Sequence, residues 1–151
     1  MTDLLMGIGN ELLGDDGAGM AVARRLQGVL GWTVLVCGTA PENFTAPVRR
    51  ARPEVLVLVD AADMGLDAGS VRRVPPEHLE DLSWGTHQLP LSHLFSFLAG
   101  CFGEGVVIGI QPGQISEGIG LSPPVERAVE EVCMILRDHR PGDIREFDPG
   151  E

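Results

Sequence analysis

The chain has 151 residues, and its 44% hydrophobic and 22% charged content is ordinary for one soluble globular domain. Its formal net charge of −11 argues against binding to nucleic acid or to an anionic membrane surface, because both need clustered positive charge. No apolar run approaches the ~20 residues of a membrane span, and the N-terminal residues do not resemble a signal peptide. We therefore expect a cytoplasmic protein that neither binds nucleic acid nor inserts into a membrane.

The first part of the chain alternates apolar strands with segments of helical periodicity. The run Val55–Val59 is continuously apolar, which is typical of a strand buried on both faces, and we expect this strand to end at Asp60. In order, the predicted elements are a strand at 3–8, a helix at 18–29, a strand at 33–37, a short helical segment at 41–50 and the strand at 55–59.

The second part continues the alternation and ends in a polar segment. We expect a loop at 61–69, an edge strand at 70–74, irregular chain at 77–89, a helix that begins at Pro90 with an apolar stripe reaching Phe102, and a strand at 106–110. Ser122 is placed to cap a final helix. From Asp138 the chain is polar, so we expect one domain at 1–138 and a frayed tail at 139–151.

Strands alternate with helices almost throughout this order. Such alternation predicts a single α/β domain with three layers, α/β/α, around a mostly parallel sheet of about five strands. In an open sheet of this kind, the binding crevice lies outside the carboxyl ends of the parallel strands.

A glycine-rich loop follows the first strand, at residues 7–19 (GIGNELLGDDGAG). A strand, a glycine-rich loop and a helix usually suggest a nucleotide phosphate site. Here Leu12 occupies the third small position of that fingerprint, and Asp15 and Asp16 lie where a phosphate needs positive potential. The loop therefore suits a cation better than a nucleotide.

Carboxylates follow two of the predicted parallel strands. Asp15 and Asp16 come after the first strand and Asp60 ends the third, so the crevice rule brings them together. One of the first two could instead cap the helix that starts near Ala18, and Asp60 could be an ordinary strand-end residue. Since both aspartates are unlikely to be caps, we expect one of them to reach the crevice.

His87 is the histidine best placed to join these carboxylates. It precedes Pro90 in the loop that enters a helix, and a helix N-terminus favours the neutral ring that metal ligation requires. Two carboxylates and one imidazole would form a three-ligand set with open positions, as in catalytic sites. His87 could also be an ordinary loop residue, and we expect the other three histidines to be surface residues without a role: His78, His93 and His139.

The three cysteines are widely spaced, and each lies in or beside an apolar run: Cys37, Cys101 and Cys133. This pattern predicts buried, reduced thiols rather than disulfides. Cys37 ends a strand near the predicted crevice, so it is the one thiol that could take part in the site.

Six sequence motifs between about Leu4 and Leu136 closely resemble, in content and in order, those of the hydrogenase maturation endopeptidases. That family removes a short C-terminal extension from the large subunit of nickel–iron hydrogenases after nickel insertion. The motifs are GIGN with GDDGAG at 7–19, APEN at 40–43, VDAADMG at 59–65, THQLPL at 86–91, GIQP at 109–112 and LSPPV at 121–125. The motifs around Asp60 and His87 look most like those of the branch that serves hydrogenase 3 of formate-hydrogenlyase-type complexes. They look nearly as much like those of a methanogen-type branch.

The resemblance implies a phosphorylase/hydrolase-like mixed sheet with one antiparallel strand. It implies an aspartic-type endopeptidase in which Asp16, Asp60 and His87 are both the catalytic and the metal-contacting residues. The metal would be nickel supplied by the partner, the large-subunit precursor, although other divalent ions could occupy the isolated site. Family members often carry an acidic residue that is replaced here by Val36-Cys37, so the resemblance does not carry a substrate contact over to that position.

Two alternatives to the peptidase hypothesis stay open at this point, together with one choice of mechanism within it. A nickel-checking chaperone that does not cut would need the same three ligands. An unrelated serine or cysteine hydrolase would not depend on the aspartates. Within the peptidase hypothesis, either nickel could polarise the scissile carbonyl or a carboxylate could activate water.

Overall fold

A computed structural model describes residues 2–85 and 90–151. Its strands are β1 (Asp3–Ile8), β2 (Trp32–Gly38), β3 (Val55–Asp63), β4 (Val71–Arg73), β5 (Ser83–Trp84) and β6 (Glu104–Ile110). Its α-helices are α1 (Ala18–Leu26), α2 (Thr45–Ala51), α3 (Leu91–Phe97) and α4 (Pro123–Arg137). Short 3-10 helices occur at Gly14–Gly17, Pro41–Phe44, Pro76–Asp81 and Pro141–Asp143.

The strands form one mixed, mostly parallel sheet in the order β2-β1-β3-β6-β4. The first four of these strands are parallel, whereas β4 runs antiparallel to β6 and β5 runs antiparallel to β3. The predicted α/β class and mostly parallel sheet are confirmed. The resemblance implies one antiparallel strand, whereas the described residues hold two, β4 and β5. With two residues, β5 is too short to show a pattern in the sequence.

Helices cover both faces of the sheet, which confirms the three-layer prediction. Successive residues of β3 alternate between the layers: Val57 and Val59 pack with α1 and α4, whereas Leu56 and Leu58 pack with α2 and α3. These four side chains have no solvent exposure. The continuous apolar run in β3 is therefore explained by burial on both faces.

Strand β3 continues past Asp60, so the predicted end of this strand and the predicted loop start at 61 are wrong. Ala61 pairs with Ile110 of β6, and Ala62 pairs with Trp84 of β5. These pairings extend the ladder by three residues, to Asp63. Asp60 consequently lies inside a strand, opposite Gly109, rather than in a turn.

Helix α3 ends at Phe97, although we expected its apolar stripe to reach Phe102. The chain turns at Gly100, whose φ of +82° suits glycine, and leads directly into β6. Phe102 still contacts the helix from outside, since its ring lies edge-on to that of Phe95 with the centroids 5.5 Å apart.

The C-terminal tail is packed against the domain, so the prediction of a frayed tail is wrong. Ile144 and Phe147 are buried, with 4% and 8% exposure. Arg73 donates its backbone N–H to the carbonyl of Arg145, and Phe147 donates its N–H to the carbonyl of Arg73. Two apolar side chains thus tie a mostly polar segment to edge strand β4.

None of the described helices is long and apolar enough to cross a membrane. The cytoplasmic location expected from the sequence stays a prediction.

Candidate functional site

The glycine-rich loop serves close packing of α1 against the sheet. A methyl group at Gly19 would collide with the carbonyl oxygens of Val59 and Ile8, and one at Gly7 would collide with the side chain of Ala23. These glycines let α1 approach the carboxyl ends of β1 and β3. The loop between β1 and α1 forms a 3-10 helix that contains Asp15 and Asp16.

Asp16 and Asp60 are brought together at this edge of the sheet. Both are fully buried, and Asp16 Oδ2 accepts the backbone N–H of Asn10 at 3.0 Å. A methyl group at Gly85 would collide with Asp16 Oδ1 and would lie 3.0 Å from Asp60 Oδ1. The two Oδ1 atoms therefore converge on the space next to Gly85, as the crevice argument predicts.

His87 lies outside the described residues, in the segment 86–89. Within the described ranges, 2–85 and 90–151, no three His, Cys, Asp or Glu side chains gather so that they could hold a metal ion. The pair formed by Asp16 and Asp60 is consequently the part of the predicted ligand set that can be described.

Asp15 connects the loop between β1 and α1 (the first loop, residues 9–17) to the loop between β6 and α4 (the second loop, residues 111–122). Its carboxylate accepts N–H bonds from Gly113 and Gln114 at 2.8 Å and from Ser122 at 2.7 Å, and it accepts the Ser122 hydroxyl at 2.7 Å. Burial raises the pKa of Asp15, but the hydrogen bonds from Gln114, Ser122 and Gly113 outweigh burial and hold the pKa below its usual value. Asp15 therefore stays ionised and anchors the second loop.

Neither aspartate caps α1, because the N-cap position is Gly17 and no side chain caps this helix. Ser122 does occupy the N-cap position of α4, as predicted, but its hydroxyl bonds to Asp15 instead of capping the helix. Sequence reasoning missed this link since it joins residues far apart in the chain.

Gln111 is a second positioning residue that the sequence analysis did not single out. It is 6% exposed, and its Oε1 accepts the backbone N–H groups of Met64 at 2.6 Å and Leu66 at 3.3 Å. Its Nε2 donates to Asp63 Oδ1 at 3.3 Å. The side chain thereby fixes the segment that leaves β3. The signal available in the sequence was a glutamine directly after an apolar strand, where a polar side chain needs hydrogen-bond partners.

Two of the cysteines are poor nucleophiles. Burial, with a smaller effect of the nearby Glu42 charge, raises the pKa of the Cys37 thiol to about 12, and burial also raises the pKa of Cys133. Both are buried free thiols, as predicted, whereas Cys101 is half-buried. A raised thiol pKa disfavours the thiolate that a nucleophilic cysteine needs, so Cys37 and Cys133 are poor candidates for the nucleophile of a cysteine hydrolase.

The three histidines within the described residues lie away from the carboxylate pair. His93 is exposed, and His78 forms a hydrogen bond with Asp81 at 2.9 Å. His139 stacks on Trp32 with 4.8 Å between the ring centroids. Their predicted surface positions are confirmed, although His139 has a packing role that was not expected.

The chain is similar over most of its length to known proteins of one family. The family model described as hydrogenase maturation protease matches residues 20–139. The hydrogenase 3 maturation protease of Escherichia coli strain K12 is 38% identical over 139 residues, which cover 90% of this chain and 89% of that protein.

Solved structures show the same likeness in three dimensions. A crystal structure of hydrogenase 3 maturation protease aligns with a TM-score of 0.88 at 35% identity and covers 98% of this chain and 97% of that one. The NiFe hydrogenase maturation protease HycI from Thermococcus kodakarensis KOD1 aligns with a TM-score of 0.80 at 29% identity, covering 91% and 90%. Fold and sequence thus agree along the whole domain, and the chain is a peptidase that belongs to the hydrogenase maturation protease family.

Proposed function

We propose that the chain is an endopeptidase that removes the C-terminal extension of a nickel–iron hydrogenase large-subunit precursor after nickel insertion. In this proposal Asp16, Asp60 and His87 recognise the bound nickel. The observation that carries it is the convergence of the Asp16 and Asp60 carboxylates on the space next to Gly85.

The chemistry of the carboxylate pair supports a divalent cation. Both side chains are fully buried, and two carboxylates that share a site repel each other unless a cation or a proton neutralises them. Carboxylate oxygens bind nickel less firmly than thiolates or several imidazoles do. Such a site suits an ion that arrives with the precursor and leaves with the product.

Chain connectivity supports His87 as the third ligand. His87 follows Gly85 by two positions in the sequence, and two extended residues span at most about 7 Å. Two carboxylates and an imidazole would leave coordination positions for ligands that the precursor supplies. A precursor without nickel would offer the site no ion to bind, so metal recognition would license cleavage.

Substitution of the three residues tests this assignment. We expect Asp16→Asn, Asp60→Asn and His87→Ala each to abolish processing of a nickel-loaded precursor, measured as the shift of the precursor band on denaturing gels. Asp67→Asn is the matched control, because Asp67 is an exposed aspartate in the loop after β3. Thermal unfolding of each variant should show that the fold is retained. Normal processing by Asp16→Asn would overturn the assignment.

A further inference from the structure

Three large apolar side chains are exposed on the first loop, which contains Asp15 and Asp16, and on the second loop, which Asp15 anchors. They are Leu12 at 70% exposure, Ile115 at 50% and Ile119 at 41%. We call them the apolar patch. Other exposed apolar side chains in the described part of the chain are dispersed, for example Leu30 in the turn before β2 and Met134 on α4. Clustered exposed apolar residues mark interaction sites more often than dispersed ones do.

Contacts join the two loops that carry the apolar patch. Gly118 donates its backbone N–H to the carbonyl of Leu12 at 3.3 Å, and Asp15 donates its N–H to the carbonyl of Gln114 at 2.8 Å. A methyl group at Gly14 would lie 3.2 Å from Ile119 Cγ1. The loops therefore touch at several points, and the three exposed apolar side chains lie on this joined pair of loops.

A cleft of about 310 Å³ lies beside the apolar patch, between α1 and the second loop. Gly14, Gly17, Ala21 and Leu121 are among its lining residues, and the Arg24 side chain also borders it. Arg24 is paired with Glu11 at 2.6 Å and is half exposed. The cleft thus combines an apolar floor with a charged rim, which is the usual anatomy of a protein-binding surface.

The apolar patch and the carboxylate pair are built on the same short segment. Leu12 lies four positions before Asp16, and Asp15 holds the second loop through four hydrogen bonds. A polypeptide whose scissile bond reaches Asp16 and Asp60 binds near the carboxyl ends of β1 and β3, next to the loops that carry the apolar patch.

We propose that the apolar patch is the docking surface for the body of the large-subunit precursor, which presents an apolar segment next to the bond to be cut. This inference rests on the proposed function. A second copy of this chain is a poorer occupant, because each copy carries a net charge of −11 and like charges oppose self-association. The docking surface contributes binding of the substrate body and leaves the chemical step to the carboxylate site.

The test compares two matched double variants in steady-state cleavage of a nickel-loaded precursor. Leu12→Ser with Ile115→Ser should raise KM by about tenfold or more and leave kcat within about twofold, since uniform binding is removed. Leu30→Ser with Met134→Ser removes apolar side chains elsewhere that are at least as exposed, and its KM should match that of the wild type. Ile119→Ser provides a second patch variant in case the double variant fails to fold.

Each other outcome overturns the inference in a distinguishable way. An unchanged KM in a folded patch variant, with normal cleavage by the wild type, removes the docking surface but keeps the peptidase. A wild-type dimer that becomes monomeric in the patch variant would show a self-association face instead. Failure of the wild type itself to cleave the loaded precursor would refute the proposed function, and the docking inference with it.

Discussion

Gly85 is the residue against which the two buried carboxylates meet. Its missing side chain leaves the space in which Asp16 Oδ1 and Asp60 Oδ1 converge. Gly85 also donates its backbone N–H to the carbonyl of Ala61 at 3.1 Å, which holds it beside the end of β3. Any atom added here displaces the carboxylates directly.

We expect Gly85→Ala to lower kcat/KM for precursor cleavage by about 100-fold, because a displacement of about 1 Å in a site can have that effect. The fold should survive, since the added methyl meets only side-chain atoms among its nearest neighbours. Gly142→Ala is the control, because a methyl there meets nothing within 4 Å. Full activity of Gly85→Ala in the cleavage assay would show that this space is not used.

Asp15 should contribute to stability through its ionised form. Hydrogen bonds to a charged group contribute about 1.5–3 kcal/mol, so Asp15→Asn should lower the free energy of unfolding at pH 7 by roughly that amount. The measurement is urea denaturation, with Asp67→Asn as the exposed control. Equal stability of Asp15→Asn and the wild type would contradict the anchoring role.

The pH dependence of this contribution has a definite sign. The pKa of Asp15 is lower in the folded chain than its usual value, so the contribution is complete above about pH 4. It is lost as the pH falls through the folded-state pKa. The difference in unfolding free energy between the wild type and Asp15→Asn should therefore shrink below pH 4, and a difference that grows on acidification would refute this account.

At the scale of elements, the position of α1 against β1 and β3 decides where the carboxylates lie. Alanine usually stabilises a helix relative to glycine, by about 1 kcal/mol. At Gly19 the methyl would collide with the carbonyl oxygens of Val59 and Ile8, which cannot move without disturbing the sheet. Overpacking of this kind costs about 1–3 kcal/mol or more.

We therefore expect Gly19→Ala to destabilise the chain despite its better helix propensity. Urea denaturation should show a loss of about 1–3 kcal/mol, whereas Gly142→Ala should change stability by less than about 0.5 kcal/mol. A stabilised Gly19→Ala variant would mean that α1 does not pack closely on the sheet.

The elements that the sequence predicts well are those with long apolar patterns. The run Val55–Val59 identifies a central strand, because burial on both faces requires an unbroken apolar sequence. The apolar stripe of α4 identifies the final helix, because burial on one face requires helical spacing. Strand β5 has two residues and no periodicity, so it could not be found. The extension of β3 beyond Asp60 was missed because an aspartate after an apolar run usually indicates the end of a strand, whereas this one is buried inside it.

At the scale of the whole molecule, the sequence predicted which carboxylates would meet but not what holds them. The crevice rule and the family motifs brought Asp16 and Asp60 together in advance. The anchoring of the second loop by Asp15 and the brace by Gln111 depend on contacts between distant residues. The packed tail was missed for the same reason, since Phe147 finds its apolar partners only after the sheet has formed.

In the proposed function, a carboxylate site recognises nickel in the precursor, and that recognition licenses cleavage by the peptidase. Intact-mass analysis of a hydrogenase large-subunit precursor, incubated with this protein with and without nickel loading, tests that claim most directly. We predict loss of a C-terminal peptide from the loaded precursor alone. Cleavage regardless of nickel would contradict the metal gate, and a stable complex without any mass loss would contradict the proposed cleavage of this substrate.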